Sequence, residues 1–338
     1  MSYPNGLAPG DIFNVKSDGF LALAEKVFRF QRQFSGIYRE YCQLRGAMEP
    51  FVDNPGFFVN GGFPVEIPFL PISFFKTKAI LADGESPQKV FTSSGTTGME
   101  VSRHLVSRVA MYEESFTKGF MREYGPPDQY AVLCLLPSYL EREGSSLIYM
   151  AQRLIELSGN GDSGFFLGSK GKLIEILQRR ELAGQKSLLL GVSFALLDFA
   201  TESPMELNHT IVMDTGGMKG RKKEMTREEF HSVLCHAFRV PSIHSEYGMT
   251  ELLSQAYSKG AGVYACPPWM RVFVRDADDP LAVKTEGAGI LCIADLANLF
   301  SCSFIETADV GRVFADGRFE VLGRIDHADI RGCSLLVA

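Results

Sequence analysis

The run Thr92-Ser93-Ser94-Gly95-Thr96-Thr97-Gly98 follows the apolar pair Val90-Phe91, so a loop of hydroxyls and glycines leaves what reads as a buried strand. Glycine permits close backbone approach, and Ser and Thr add O–H donors to the backbone N–H groups, a combination that can wrap a phosphate chain. Alone, the same run fits a solvated turn equally well. It is not a Walker loop, because Met99-Glu100 stands where Gly-Lys-Ser/Thr would close one. Far downstream, Ser245-Glu246-Tyr247-Gly248-Met249-Thr250-Glu251 offers an aromatic face for a base at Tyr247, a hydroxyl for a phosphate at Thr250 and a carboxylate for a divalent cation at Glu251. Asp309 can accept from both hydroxyls of a ribose, and Arg324 can pair with ribose or phosphate oxygen through its planar fork. Each feature by itself also reads as a turn or a surface charge. Their order along one chain is what joins them.

Together, Ser93 to Gly98, Tyr247 to Glu251, Asp309 and Gly323-Arg324 resemble the motif series of the adenylate-forming superfamily of acyl ligases, in its phenylacetate-CoA-ligase-like branch. The resemblance runs from about residue 85 to the end. It implies ATP as the nucleotide, with Ser93, Ser94, Gly95, Thr96, Thr97 and Gly98 gripping the triphosphate. It implies that Tyr247, Gly248 and Thr250 bind adenine and phosphate, that Glu251 binds Mg2+, that Asp309 binds ribose and that Gly323-Arg324 precedes a hinge. The segment Asp214-Thr215-Gly216-Gly217-Met218, after the strand-like Thr210 to Met213, is similar to the family's adenine-contacting turn, which assigns Gly216, Gly217 and Met218 to the nucleotide. Gly191-Val192-Ser193-Phe194 occupies the place where related ligases begin their acyl pocket, making Val192 and Phe194 candidate walls. His244, three residues before Tyr247, is a candidate to face the substrate.

Two departures accompany the matches. The basic residue and proline that commonly close the phosphate loop are replaced by Met99-Glu100, and, with the sequence read to Ala338, the lysine-bearing domain of the larger ligases is not expected. Near that end, Asp329-Ile330-Arg331-Gly332-Cys333-Ser334 places a cysteine beside an arginine and a glycine, which is similar to the LuxE-type acyl-protein synthetases of bacterial luminescence operons. That likeness implies activation of a long-chain fatty acid as its acyl-adenylate, capture of the acyl group on Cys333 and delivery to a partner such as an acyl reductase. Thiolates attack acyl carbonyls, and Arg324, His327 and Arg331 would favour a thiolate while Asp326 and Asp329 oppose it. As a residue alone, Cys333 also fits a small buried hydrophobe. Thr250 and Glu251, with Cys333, are the catalytic candidates. Two other readings stay open: a compact carboxylate:CoA or acyl-AMP ligase serving a free thiol or carrier protein, and a non-catalytic adenylate-binding interaction protein.

These residues need a frame. Short apolar runs alternate with helical stretches from Val90 onward (Tyr130 to Leu136, Ser145 to Leu157, Lys172 to Leu182, Ser187 to Val192, Thr210 to Met213), which predicts an α/β layer architecture with a largely parallel sheet flanked by helices. From Val263 on, strands dominate, with a turn at Asp316-Gly317, predicting a second, more antiparallel sheet. The expected division is a helical and irregular segment over 1–85, an α/β subdomain with the phosphate loop over 86–240, and a strand-rich subdomain over 241–338. The nucleotide is expected near strand ends, where loops converge.

Composition bounds the rest. The 338 residues are 46% hydrophobic with a net charge of −6, enough for a sizeable core and without the basic footprint of a nucleic-acid partner. The cations of Lys219 to Lys223 read as a solvated helix entry or an anion patch. Seven scattered cysteines without a Cys-x-x-Cys pair argue against a disulfide framework or structural zinc, and fit a reducing, cytoplasmic setting. No secretory signal or membrane span is apparent. Most of the 26 phenylalanines belong to the core, and a few are expected to line a tunnel for a fatty carboxylate.

Overall fold

The computed structural model describes residues 7–46, 67–94, 101–137, 144–216, 225–276 and 283–325. Its N-terminal part is helical: α1 (Pro9–Asn14), α2 (Phe20–Phe34) and α3 (Gly36–Leu44). In α2, Phe20, Leu23, Ala24, Val27, Phe28 and Gln31 recur at helical spacing and are buried together. A two-residue strand β1 (Leu70–Pro71), the single turn α4 (Phe74–Thr77) and the hairpin β2 (Lys89–Thr92) and β3 (Arg103–Val106) follow.

The α/β layer then runs α5 (Val109–Tyr124), β4 (Ala131–Leu135), α6 (Ser146–Ser158), β5 (Gly164–Phe165), α7 (Lys170–Leu182), β6 (Ser187–Gly191), α8 (Ser193–Glu202), β7 (Thr210–Asp214), α9 (Arg227–Phe238), β8 (His244–Tyr247) and β9 (Ala256–Ser258). Local chemistry sets several ends. Ser145 caps α6 and left-handed Gly159 closes it, while Thr226 and Glu229 form a reciprocal capping box on α9. The sheet order is β5-β4-β6-β7-β8-β9, parallel through β8 and antiparallel at β9. Side-chain alternation divides its two faces. Val132, Cys134 and Leu136 join the core shared with α5, α6 and the N-terminal helices, whereas Ala131, Leu133 and Leu135 pack with α7, α8 and α9.

The second sheet comprises β10 (Val263–Tyr264), β11 (Met270–Arg275), β12 (Val283–Lys284), β13 (Gly287–Asp295), β14 (Phe304–Val313) and β15 (Phe319–Arg324). Its order is β10-β15-β14-β13-β11-β12, antiparallel throughout, with β1 added in parallel on β14. The α/β layer with a mainly parallel sheet and the antiparallel second sheet are therefore both present. Strands β8 and β9 belong to the first sheet, so the second begins at β10. Gln31 ties the helical N-terminus to this frame: its amide donates to the carbonyls of Asn298 and Leu299 and to Ser303 Oγ, and accepts from the Ser303 N–H.

Candidate active site

The site is assembled where the β2–β3 hairpin, the segment after β8 and the β14–β15 pair approach one another. At the base of the hydroxyl loop, the Ser93 N–H donates to the Ser102 carbonyl at 3.1 Å and the Ser102 N–H donates to Ser93 Oγ at 2.9 Å, so the two ends of the loop are tied to each other. Ser94 is exposed beside this closure. Gly95, Thr96, Thr97 and Gly98 lie outside the described residues.

Ser102 also hydrogen-bonds the Glu251 carboxylate, which brings the foot of the loop against the candidate metal ligand. Glu251 is 5% exposed, and burial raises its pKa against the lowering effect of Ser102 and Arg324. A buried carboxyl pushed toward its neutral form gains from a nearby divalent charge, so Glu251 fits a Mg2+ ligand. Among the described residues, no three His, Cys, Asp or Glu side chains gather as a metal cluster. A cation at Glu251 would complete its shell from phosphate and water, the usual manner of Mg2+. Thr250 presents its carbonyl to His104 Nδ1 at 2.8 Å.

The Tyr247 hydroxyl donates to Asp309 Oδ2 at 2.8 Å, and Arg324 Nε stands 3.7 Å from Asp309 Oδ1. Asp309 and Arg324 are opposite one another across β14 and β15, so the register of two strands sets this pair. The Tyr247 ring packs edge-on against Phe319 and beside Tyr264. Tyr247, Asp309 and Arg324 thus form one connected string.

Next to it, Asp214 at the end of β7 accepts from Ser193 Oγ at 2.7 Å and from the Gly216 N–H. Gly216 has φ +74°, the left-handed region that glycine occupies without penalty. Asp214 thereby fixes the start of the glycine turn; Gly217 and Met218 lie outside the described residues. Burial lifts Asp214 to about 6. Burial and the neighbouring Asp214 lift Glu246 to about 8, keeping a neutral carboxyl under the Tyr247-Gly248 turn at neutral pH. A Cβ on Gly248 would fall 2.5 Å from Glu246 Oε1, so any larger residue there must displace that carboxyl.

His244 Nδ1 lies 3.2 Å from the Tyr124 hydroxyl, half-buried at the start of β8. Val192 precedes α8 and touches the cores on both faces of the first sheet. Phe194 packs with the core of α7, α8 and α9 on the other face from Tyr247. Cys333 lies outside the described residues. The sequence motifs did not point to Ser102, His104, Asn298 or the Ser193–Asp214 bond. Ser102 immediately precedes β3 and His104 lies on it, where the chain returns from the loop, which is the one signal that marks them.

No family model matches the chain. The fold is that of the adenylate-forming acyl ligases. The structure aligns with 2-hydroxyisobutyryl-CoA ligase in complex with 2-HIB-AMP and CoA at a TM-score of 0.61, covering 96% of this chain and 73% of that one at 14% identity. With ATP-bound MatB from Rhodopseudomonas palustris the TM-score is 0.53 over 70% of this chain at 16% identity, and the match spans about half of that protein, 47%.

Along the sequence itself, the chain is similar to the long-chain-fatty-acid–luciferin-component ligase of Vibrio harveyi. The two are 24% identical over 342 residues, 93% of this chain and 85% of the relative. The resemblance to the LuxE type read from the motifs is thus also a resemblance of nearly the whole chain.

Proposed function

We propose that the protein is an ATP-dependent ligase that activates a carboxylic acid, a long-chain fatty acid in the leading case, as its acyl-adenylate. The observation that carries this reading is the meeting of Ser93–Ser102, Thr250–Glu251 and Tyr247–Asp309–Arg324 in one place. Asp309 and Arg324 hold the ribose side of the nucleotide, and the Asp214–Gly216 turn borders its base. The Thr250 hydroxyl and the donors of the hydroxyl loop hold phosphate oxygens. Glu251 would hold Mg2+, which when bound supplies positive charge to the phosphates.

A carboxylate oxygen attacks the α-phosphorus, the bond to the β-phosphate bridging oxygen breaks, and pyrophosphate leaves with the bond electrons. Positioned donors stabilise the charge that develops. Cys333, as thiolate, then attacks the acyl carbonyl carbon, expels AMP and carries the acyl group as a thioester for a protein acceptor such as an acyl reductase.

The test is incubation with ATP, Mg2+ and a series of labelled fatty acids. We expect fatty-acid-dependent release of pyrophosphate and AMP, and hydroxylamine-sensitive label on the Cys333 peptide. Label on a different cysteine would keep the activation and remove Cys333. Acyl-CoA formed by a Cys333→Ser variant would replace self-acylation with a free-thiol acceptor. Nucleotide binding without acid-dependent pyrophosphate release would overturn the enzyme.

A further inference from the structure

Asp295 closes β13 and is 0% exposed. Its carboxyl oxygens accept from the Leu253 N–H at 2.8 Å, the Ser254 N–H at 2.9 Å, the Ser254 hydroxyl at 2.6 Å and the Ala297 N–H at 3.1 Å. Leu253 and Ser254 lie just after Glu251, on the segment that leaves the candidate metal ligand. Ala297 belongs to the 3-10 turn Leu296–Asn298, whose Asn298 Nδ2 donates to the Glu251 carbonyl at 2.8 Å. One side chain therefore reaches the Glu251 peptide by two routes, along the chain through Leu253 and across it through Asn298.

The Ser254 hydroxyl is the end of a longer series of hydrogen bonds. Ser254 Oγ and Ser115 Oγ lie 2.9 Å apart, and the Trp269 indole N–H donates to them at 3.0 and 3.1 Å respectively. Ser115 stands on α5 and Trp269 just before β11, and the side chains of Ser115, Ser254, Trp269 and Asp295 are all buried. The Trp269 carbonyl also accepts from the Leu296 N–H at 3.0 Å, which closes the series back onto the 3-10 turn.

Counting donors gives the series its direction. An indole N–H only donates, and a serine hydroxyl donates once. With Asp295 ionised, Ser254 donates to the carboxylate, Ser115 donates to Ser254, and neither hydroxyl lacks an acceptor. With Asp295 as an acid donating to Ser254, the order reverses and the Ser115 hydroxyl has no acceptor left within the series. Burial raises the Asp295 pKa, and the bonds from Ser254, Leu253 and Ala297 oppose that rise. The hydrogen-bond count is complete with the carboxylate, which accepts at every contact.

We propose that Asp295 is a positioning residue for the proposed Mg2+ site: its carboxylate fixes the peptides that follow Glu251, and the Trp269–Ser115–Ser254 series fixes the carboxylate. The positioning role rests on the function proposed above; the hold on the segment does not. None of these contacts uses the Thr250 hydroxyl or the Glu251 carboxylate, which stay available for phosphate and Mg2+.

Two measurements test this. Asp295→Asn keeps the size but turns amide N–H groups toward a cluster of donors. Amide hydrogen exchange of the protein alone, read by mass spectrometry, should accelerate about tenfold in peptides covering 250–254 of this variant, while β4 and β6 keep wild-type rates. Trp269→Phe keeps a ring in the core, withdraws the indole N–H and should accelerate the same peptides by about threefold, which serves if Asp295→Asn does not fold. Unchanged exchange at 250–254, or equal acceleration throughout the molecule, overturns the hold independently of any activity. For positioning, the Mg2+ concentration giving half-maximal pyrophosphate release should rise about tenfold in Asp295→Asn and about threefold in Ser254→Ala, both assayed well below their melting temperatures. Unchanged half-maximal concentrations, with only lowered melting temperatures, overturn positioning. Wild-type protein that releases no pyrophosphate would instead overturn the proposed function, with the hold still judged by exchange.

Discussion

Tyr247 and Asp309 allow stability to be tested apart from the proposed recognition of a nucleotide. The phenol donates to Asp309 at 2.8 Å, so Tyr247→Phe leaves a buried carboxylate oxygen short of one donor. Loss of such a bond costs about 1–2 kcal/mol, read as a lower urea midpoint at unchanged slope. The ring itself, packed on Phe319 and Tyr264, is retained. If Asp309 binds ribose hydroxyls, those hydroxyls take the place vacated by the phenol, and ATP affinity measured by calorimetry should change by less than about threefold. Asp309→Ala removes the acceptor itself and should weaken ATP by about tenfold or more. Equal losses of affinity in both variants would mean that the phenol, and not the carboxylate, meets the nucleotide.

At the scale of elements, two glycines predict opposite outcomes for one substitution. Gly311 sits on β14 opposite Gly289, and a Cβ there would lie 2.2 Å from the Glu320 carbonyl oxygen and 2.8 Å from Leu291. Backbone cannot move away cheaply, so Gly311→Ala should destabilise by at least about 2 kcal/mol and loosen the β14–β15 register that pairs Asp309 with Arg324. Gly171, near the start of α7, has nothing within 4 Å of its Cβ position. Gly171→Ala should stabilise by up to about 0.5–1 kcal/mol through helix propensity alone. Thermal melts of both variants check the contrast. These elements were largely legible beforehand, because the short continuous apolar run from Tyr130 to Leu136 marks a buried strand and the apolar spacing of α2 marks a helix face. The candidate residues from Tyr247 to Glu251 could be singled out beforehand because they lie side by side in one motif. His104, Ser102 and Asn298 were not. They contact backbone carbonyls or a buried carboxylate across long stretches of sequence, and no local pattern encodes such a contact.

The molecule as a whole turns some ordinary side chains into pH-dependent ones, and Glu246 is the clearest case. Its sequence neighbours gave no hint of protonation. That state arises because β8 pairs with β9, placing Tyr257 opposite Glu246, while β7 brings Asp214 alongside. The folded carboxyl is raised from 4.5 to about 8, first by burial and then by Asp214. A carboxyl raised in the folded state holds its proton where the unfolded chain has already lost it. Its stabilising contribution is therefore complete below about pH 4.5 and is lost as pH rises through about 8. His104, lowered to about 4 by burial, works in the opposite sense, contributing fully above its unfolded value of 6.5 and losing that contribution as pH falls through about 4. Total stability mixes such terms, so the informative quantity is a difference between variants. Glu246→Gln keeps the shape and removes the titration. Its advantage over wild type should be small at pH 5 and larger at pH 8, the two differing by on the order of 3 kcal/mol. Denaturant melts of both proteins at the two pH values measure it. A pH-independent difference would place the Glu246 carboxylate, ionised, in contact with water or a cation, and the polar floor beneath Tyr247 and Gly248 would then be negatively charged.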